Sequence, residues 1–309
     1  MNNTRRSFIG QLAGIPLLPA IRPLQEITEV FRKDFPVSSN TYNWDTFYWR
    51  EGKTSFSENL DAGLKDYLKT GLTAIEPNLF NVEFTGQIMP KLQEYGISAP
   101  SAYVNSVLHK KEEAAESIAT VLAIADAARP YGVNILVTNP SPIQWGGTEV
   151  KSDDELKEQA KNLDHLGAEL RKRGMTLAYH THNTEMLAGA REYHHMFQNT
   201  SPRNVAYCFD VHWVFRGSQD SEVAVFDVLK MYGDRVVELH LRQSVNGIWS
   251  ETFGEGDIDY ERFAAELKKR KIRPHLVIEQ CVEDGTPNTM DVIEAHKQDL
   301  ARVNALFGV

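Results

Sequence analysis

Eight short apolar runs recur from about Val37 onward, with amphipathic helical stretches between them, and that alternation leaves few folds open. Val37–Trp44, Leu72–Leu79, Ile97–Val104, Val133–Thr138, Met175–His182, Val205–Trp213, Val236–Gln243 and His275–Gln280 read as strands. Asn59–Thr70, Glu112–Tyr131, Asp153–Arg173, Ser221–Tyr232, Tyr260–Lys271 and Asp291–Leu306 read as helices. Gly71, Gly96, Gly132, Gly174 and Gly233 follow helical stretches and are expected to close them in the left-handed conformation. Strands separated by helices pair in parallel, because a parallel return needs a long crossover. Eight such units predict an α/β fold, a closed (β/α)8 TIM barrel, as a single domain over residues 35–309. An open doubly wound sheet is the alternative, but no Gly-x-Gly-x-x-Gly turn follows the first strand.

The first residues differ from the rest. Arg5-Arg6 precedes an apolar run to Leu18 and then Pro19-Ala20, the layout of a twin-arginine export signal over residues 1–28. That run is too short for a stable membrane span, so the expected location is the periplasm. Composition narrows the partners. A net charge of −9 without a local basic patch argues against nucleic acid. Cys208 and Cys281 lie in apolar runs and are expected to be buried thiols rather than a disulfide.

In a barrel of this kind, chemistry is assembled where the strands end. Those ends carry Glu76, then His180 and His182, Asp210 and His212, His240 and Arg242, and Glu279. His180, Asp210 and His240 are each 30 residues apart, about one strand–helix unit, which predicts equal heights on successive strands. Residues two apart on a strand share a face, so each pair should point together. Buried Asp and Glu cost several kcal/mol each unless paired or metal-bound. One divalent cation on His180, Asp210, His240 and Glu279 resolves that cost, with manganese foremost and cobalt, iron, nickel or zinc also suited. Glu279, His182 and His212 are the candidate catalytic groups. Glu76, Arg242, Glu185 and Trp213 are the candidate substrate contacts. Trp44, Trp145 and Trp249 are further aromatics near strand ends or loops.

The runs Tyr179-His180-Thr181-His182-Asn183-Thr184-Glu185, Phe209-Asp210-Val211-His212-Trp213, Glu238-Leu239-His240-Leu241-Arg242, Gly254-Glu255-Gly256-Asp257-Ile258-Asp259 and Val277-Ile278-Glu279 resemble the xylose isomerase-like TIM barrels, within them the sugar phosphate isomerase/epimerase group. The resemblance implies a metal held from the fifth to eighth strands, on His180, Asp210, His240 and Glu279. It also implies a small-molecule sugar or glycoside substrate, and barrels of this kind often pair, which makes a homo-oligomer an expected assembly. One departure stands out. Epimerases of the group use two metal-bound glutamates as acid and base, and here His180 takes the place of the first. A metal-bound imidazole is a poor proton acceptor, leaving His182, His212 or Glu185 as the second base.

The expected reaction is isomerisation or epimerisation by proton abstraction next to a metal-polarised carbonyl. A metal-dependent lyase or hydratase on a 3-keto-sugar or glycoside would use the same site, and a non-catalytic sugar-binding barrel is a third reading. The DNA-repair endonuclease branch of the superfamily fits an acidic chain poorly.

Overall fold

The computed structural model describes residues 35–308; the export signal expected over 1–28 lies outside them. Eight parallel strands form one sheet: β1 Ser38–Asn40, β2 Ala74–Glu76, β3 Ser101–Ser106, β4 Ile135–Pro140, β5 Thr176–Tyr179, β6 Val205–Asp210, β7 Val236–Leu241 and β10 His275–Ile278. Their spatial order is β2-β1-β10-β7-β6-β5-β4-β3. Parallel bridges from Ala74 to Ser98 and from Asn78 to Tyr103 join β2 to the β3 segment, so the sheet nearly closes on itself as a TIM barrel. A two-residue pair, β8 Ser244–Val245 and β9 Ile248–Trp249, makes an antiparallel ribbon after β7.

Strand ends, rather than strand positions, differ from the sequence reading. The first strand stops at Asn40, and Thr41–Arg50 is helical, because the Asn40 side chain accepts from the Tyr42 amide at 2.7 Å and caps a helix. Val205–Trp213 likewise breaks at Asp210, which accepts from the Trp213 amide at 2.8 Å and starts the helix Val211–Gly217. Both segments are apolar enough to imitate strands, but the capping oxygen decides. Trp44 consequently sits in the helix after β1 and is fully buried against Tyr67 and His296, far from any mouth role.

Gly71, Gly96, Gly132 and Gly174 adopt positive φ as expected. Gly233 does not. Its φ is −55°, and a Cβ there would stand 3.1 Å from Ile272 Cδ1, so close packing, not handedness, selects glycine. Cys208 and Cys281 are both buried free thiols. Among the described residues, no helix is long and apolar enough to cross a membrane.

Candidate active site at the barrel mouth

Four donor groups meet at the C-terminal ends of neighbouring strands. Asp210 is the last residue of β6 and His240 lies opposite it in register on β7. His180 follows β5 directly, and Glu279 follows β10. One ligand atom from each of His180, Asp210, His240 and Glu279 falls within 4.8 Å of the others, and all four residues are buried. His180 Nε2 is 3.5 Å from Asp210 Oδ2, and His240 Nδ1 is 3.3 Å from Glu279 Oε2.

The local fold explains which atoms are free. Asp210 spends Oδ1 on capping the helix that follows, which leaves Oδ2 without a hydrogen-bond partner. Both ring nitrogens of His180 and of His240 are also unpartnered. Buried polar atoms normally find partners, so this many in one place mark a site built for a ligand. Imidazole and carboxylate donors at these separations fit a divalent transition metal.

Arg242, just past β7, lies beside the cluster. Its Nε donates to the Glu279 carbonyl oxygen at 2.8 Å and Nη2 to Glu279 Oε2 at 2.6 Å. The guanidinium packs 4.3 Å from the Trp249 ring centroid and 5.2 Å from that of Trp213, while Nη1 has no partner. Burial alone would raise the Glu279 carboxyl; Arg242 and His240 outweigh it and hold Glu279 well below the usual carboxylate range. Such a carboxylate is a good ligand and a weak base.

His182 is differently placed. Its Nδ1 lies 3.1 Å from Asn139 Oδ1, the Asn139 amide donates to Glu185 Oε1 at 3.0 Å, and Glu185 Oε2 accepts from the His182 backbone amide at 2.7 Å. Asn139 thus fixes the ring with Nδ1 as donor, leaving Nε2 as an acceptor. The ring stands 4.8 Å from that of His180, edge-on to Trp145 at 5.4 Å and to Trp213 at 5.2 Å. Burial first, then the neighbouring His180, holds His182 well below its usual range, so it is neutral.

Three expected roles move. Glu185 is fully buried, with its oxygens committed to Asn139 and His182, so it orients the histidine instead of meeting substrate. Glu76 is also fully buried. It sits behind His240, with Oε1 3.1 Å from Nε2, and is held by Asn40 and Ser101. His212 does not share a strand face with Asp210, because the chain is already helical there. It packs between Phe215 and Trp249, and burial pushes it down to about 3. Asn139, Glu238 and His275 escaped the sequence reading. Glu238 carried a signal nonetheless, as a charged residue two before His240 in an otherwise apolar run.

The ribbon after β7 carries Trp249 over Arg242. Asp257, from the Gly-Glu-Gly-Asp loop, clamps it by accepting from Ser244 Oγ and from the Asn246 and Gly247 amides at 2.7–2.9 Å. Gly256 permits the approach, since a Cβ there would lie 2.1 Å from the Ser244 carbonyl oxygen.

The family model for the xylose isomerase-like TIM barrels matches residues 65–302, and the chain belongs to that family. An inosose dehydratase from Clostridium perfringens is 26% identical over 180 residues, which is 52% of this chain and 59% of that protein. One from Lactiplantibacillus plantarum is 25% identical over 171 residues, 47% of this chain and 54% of that protein. The chain therefore matches little more than half the length of these curated relatives. Among solved structures, a sugar phosphate isomerase/epimerase from Parabacteroides distasonis superposes with a TM-score of 0.68 at 17% identity, covering 89% of this chain and 95% of that one. An L-ribulose 3-epimerase gives 0.67 at 14%, covering 88% and 94%, and a 3-keto-D-glucoside 4-epimerase from E. coli gives 0.63 at 14%, covering 88% and 100%. At such identities the likeness is one of fold.

Proposed function

From its place among the xylose isomerase-like barrels, we propose that the chain is a metal-dependent isomerase or epimerase of a sugar or keto-sugar. The observation that carries this reading is the convergence of four donor groups, three of them with unpartnered atoms, beside a neutral, oriented histidine. His180, Asp210, His240 and Glu279 would hold a divalent ion, manganese foremost, which would supply Lewis acidity toward a substrate carbonyl.

The remaining work falls to the chain's own groups. His182 Nε2 takes the proton from the carbon next to the carbonyl, and Asn139 and Glu185 keep that nitrogen aimed. Arg242 offers Nη1 to a substrate oxygen while holding Glu279 ionised. Trp213, Trp249 and Trp145 present aromatic surface that suits the C–H faces of a sugar and excludes water. Returning the proton to another carbon or face gives isomerisation or epimerisation.

A second reading, a lyase that expels a β-hydroxyl or aglycone after the same proton removal, is favoured by two observations. Glu279 is held as a weak base, which leaves His182 as the free base packed against the cluster, and the curated relatives are inosose dehydratases. Incubation with keto-sugars and inososes in D2O separates the outcomes. Proton NMR detects C–H exchange in either case, whereas elimination adds a double bond absorbing in the ultraviolet. His182→Gln should abolish exchange while still binding manganese. Exchange at the wild-type rate in that variant would remove His182 from the reaction, and binding of sugars without any exchange would point to a binding barrel. The Arg5-Arg6 pair adds a proposal of export to the periplasm; fractionation of cells making Arg5→Lys/Arg6→Lys against the native chain tests it.

A further inference from the structure

A second set of donors converges one layer deeper in the barrel. Cys208 Sγ, a Glu238 carboxylate oxygen and a His240 ring nitrogen lie within 4.8 Å of one another, all fully buried. Register explains the stacking: Cys208 pairs with Glu238 and Asp210 with His240 on β6 and β7, and residues two apart point the same way. His240 serves both layers. Its Nδ1 faces Glu279, while Nε2 stands 3.5 Å from Glu238 Oε1 and 3.1 Å from Glu76 Oε1.

The surroundings hold each carboxylate by its other contacts. Glu238 Oε2 takes a hydrogen bond from His275 Nδ1 at 2.7 Å, and His275 Nε2 is in turn 2.9 Å from Ser38 Oγ. Asn40 Nδ2 and Ser101 Oγ donate to the two oxygens of Glu76 at 2.5 and 3.1 Å. Glu238 Oε1 and His240 Nε2 remain without hydrogen-bond partners. A carboxylate fixed from behind through one oxygen, with the other oxygen free in front, is an arrangement found around bound metals. The Glu76 and Glu238 carboxylates also bring negative charge into a dry interior, which a dication would balance.

We propose that Cys208, Glu238 and His240 form a second, inner metal site, with Glu76 beside it, selective through its sulfur for a borderline-soft divalent ion, zinc foremost. Binding displaces the Cys208 thiol proton and the His240 Nε2 proton to solvent. With both sites filled, His240 bridges the two ions as an imidazolate, having lost its Nδ1 proton to solvent as well. The inner site stands on its own geometry and does not depend on the reaction proposed above.

Cobalt tests this, because its bond to a thiolate gives a charge-transfer band in the near ultraviolet. The full chain is made in cobalt-supplemented cells, so that the ion is present while the barrel closes, and its metal content and absorption are measured. About two cobalt ions per chain with a thiolate band are expected. Cys208→Ser should lose the band and drop to about one ion, while Cys281→Ser keeps both and Asp210→Asn keeps the band but loses the outer ion. One ion per chain without a band in the native protein, or a band that survives Cys208→Ser, overturns the proposal. If Cys208→Ser does not fold, the native band and its retention in Cys281→Ser decide.

Discussion

Replacing Arg242 with methionine isolates the tie between the guanidinium and Glu279. The pair is buried, at 1% and 7% side-chain exposure, with Nη2 2.6 Å from Oε2. Methionine keeps most of the packing against Trp249 and Trp213 but removes the charge. Leaving one partner of a buried ion pair uncompensated costs about 3–5 kcal/mol. Lost contact with the two indole faces adds up to about 1 kcal/mol. The chelator-treated variant should therefore be about 4 kcal/mol less stable than the native protein, a fall in melting temperature of roughly 10 °C. A bound dication gives Glu279 a stronger partner than His240 alone, so the deficit should shrink on adding manganese. If half is recovered, the variant binds the ion on the order of 30-fold more tightly than the native chain, by linkage. Urea unfolding of both proteins, with chelator and with saturating manganese, gives all four stabilities. A metal-free deficit below about 1 kcal/mol, or an equal deficit with and without the ion, would refute the pairing argument.

Four further outcomes are expected. His296 is buried, donating Nδ1–H to the Val292 carbonyl and accepting from Asn43 Nδ2 at 2.6 Å; burial pushes it down to about 4. The unfolded chain then takes up the proton first, so stability is unaffected above pH 6.5 and falls by about 3 kcal/mol as pH drops from 6.5 to 4. His296→Leu should lack that part of the decline, and parallel urea-midpoint curves for the two proteins would sink the assignment. Gly167→Ala places a Cβ 2.1 Å from the Asn204 carbonyl oxygen and should cost about 2–3 kcal/mol. Gly86→Ala, on an open helix face, should instead stabilise by about 0.5–1 kcal/mol in the same thermal melts. Asn139→Ala frees the His182 ring and should slow deuterium exchange at least about 10-fold with little change in KM; an unaltered rate would show that the ring needs no such support.

The barrel was legible because its signal repeats: a strand, a helix and, at four of five sites, a left-handed glycine. The convergence of His180, Asp210 and His240 was legible for a similar reason, since equal spacing on successive units implies equal height, and Glu279 joined them as the acid at the end of the last strand. What escaped depends on contacts between distant segments. Nothing local distinguishes Val211–Gly217 from a continuing strand, until the Asp210 carboxylate is seen to cap it. Glu76 reads as another strand-end acid, and only the approach of His240 from across the barrel shows that it stands behind a ligand. His275, at the start of its strand, gained meaning from Glu238 and Ser38, each far away in sequence.

The ribbon over the mouth has a consequence for how such a site could diversify. Its near end is gripped by one carboxylate, Asp257, and its far end by Glu283, which binds the Trp249 amide and Arg216. None of the four mouth ligands lies within it. Residues 245–256 therefore behave as a cassette: a ribbon of different length or side chains, grafted between the same two anchors, would meet a different molecule above unaltered chemistry.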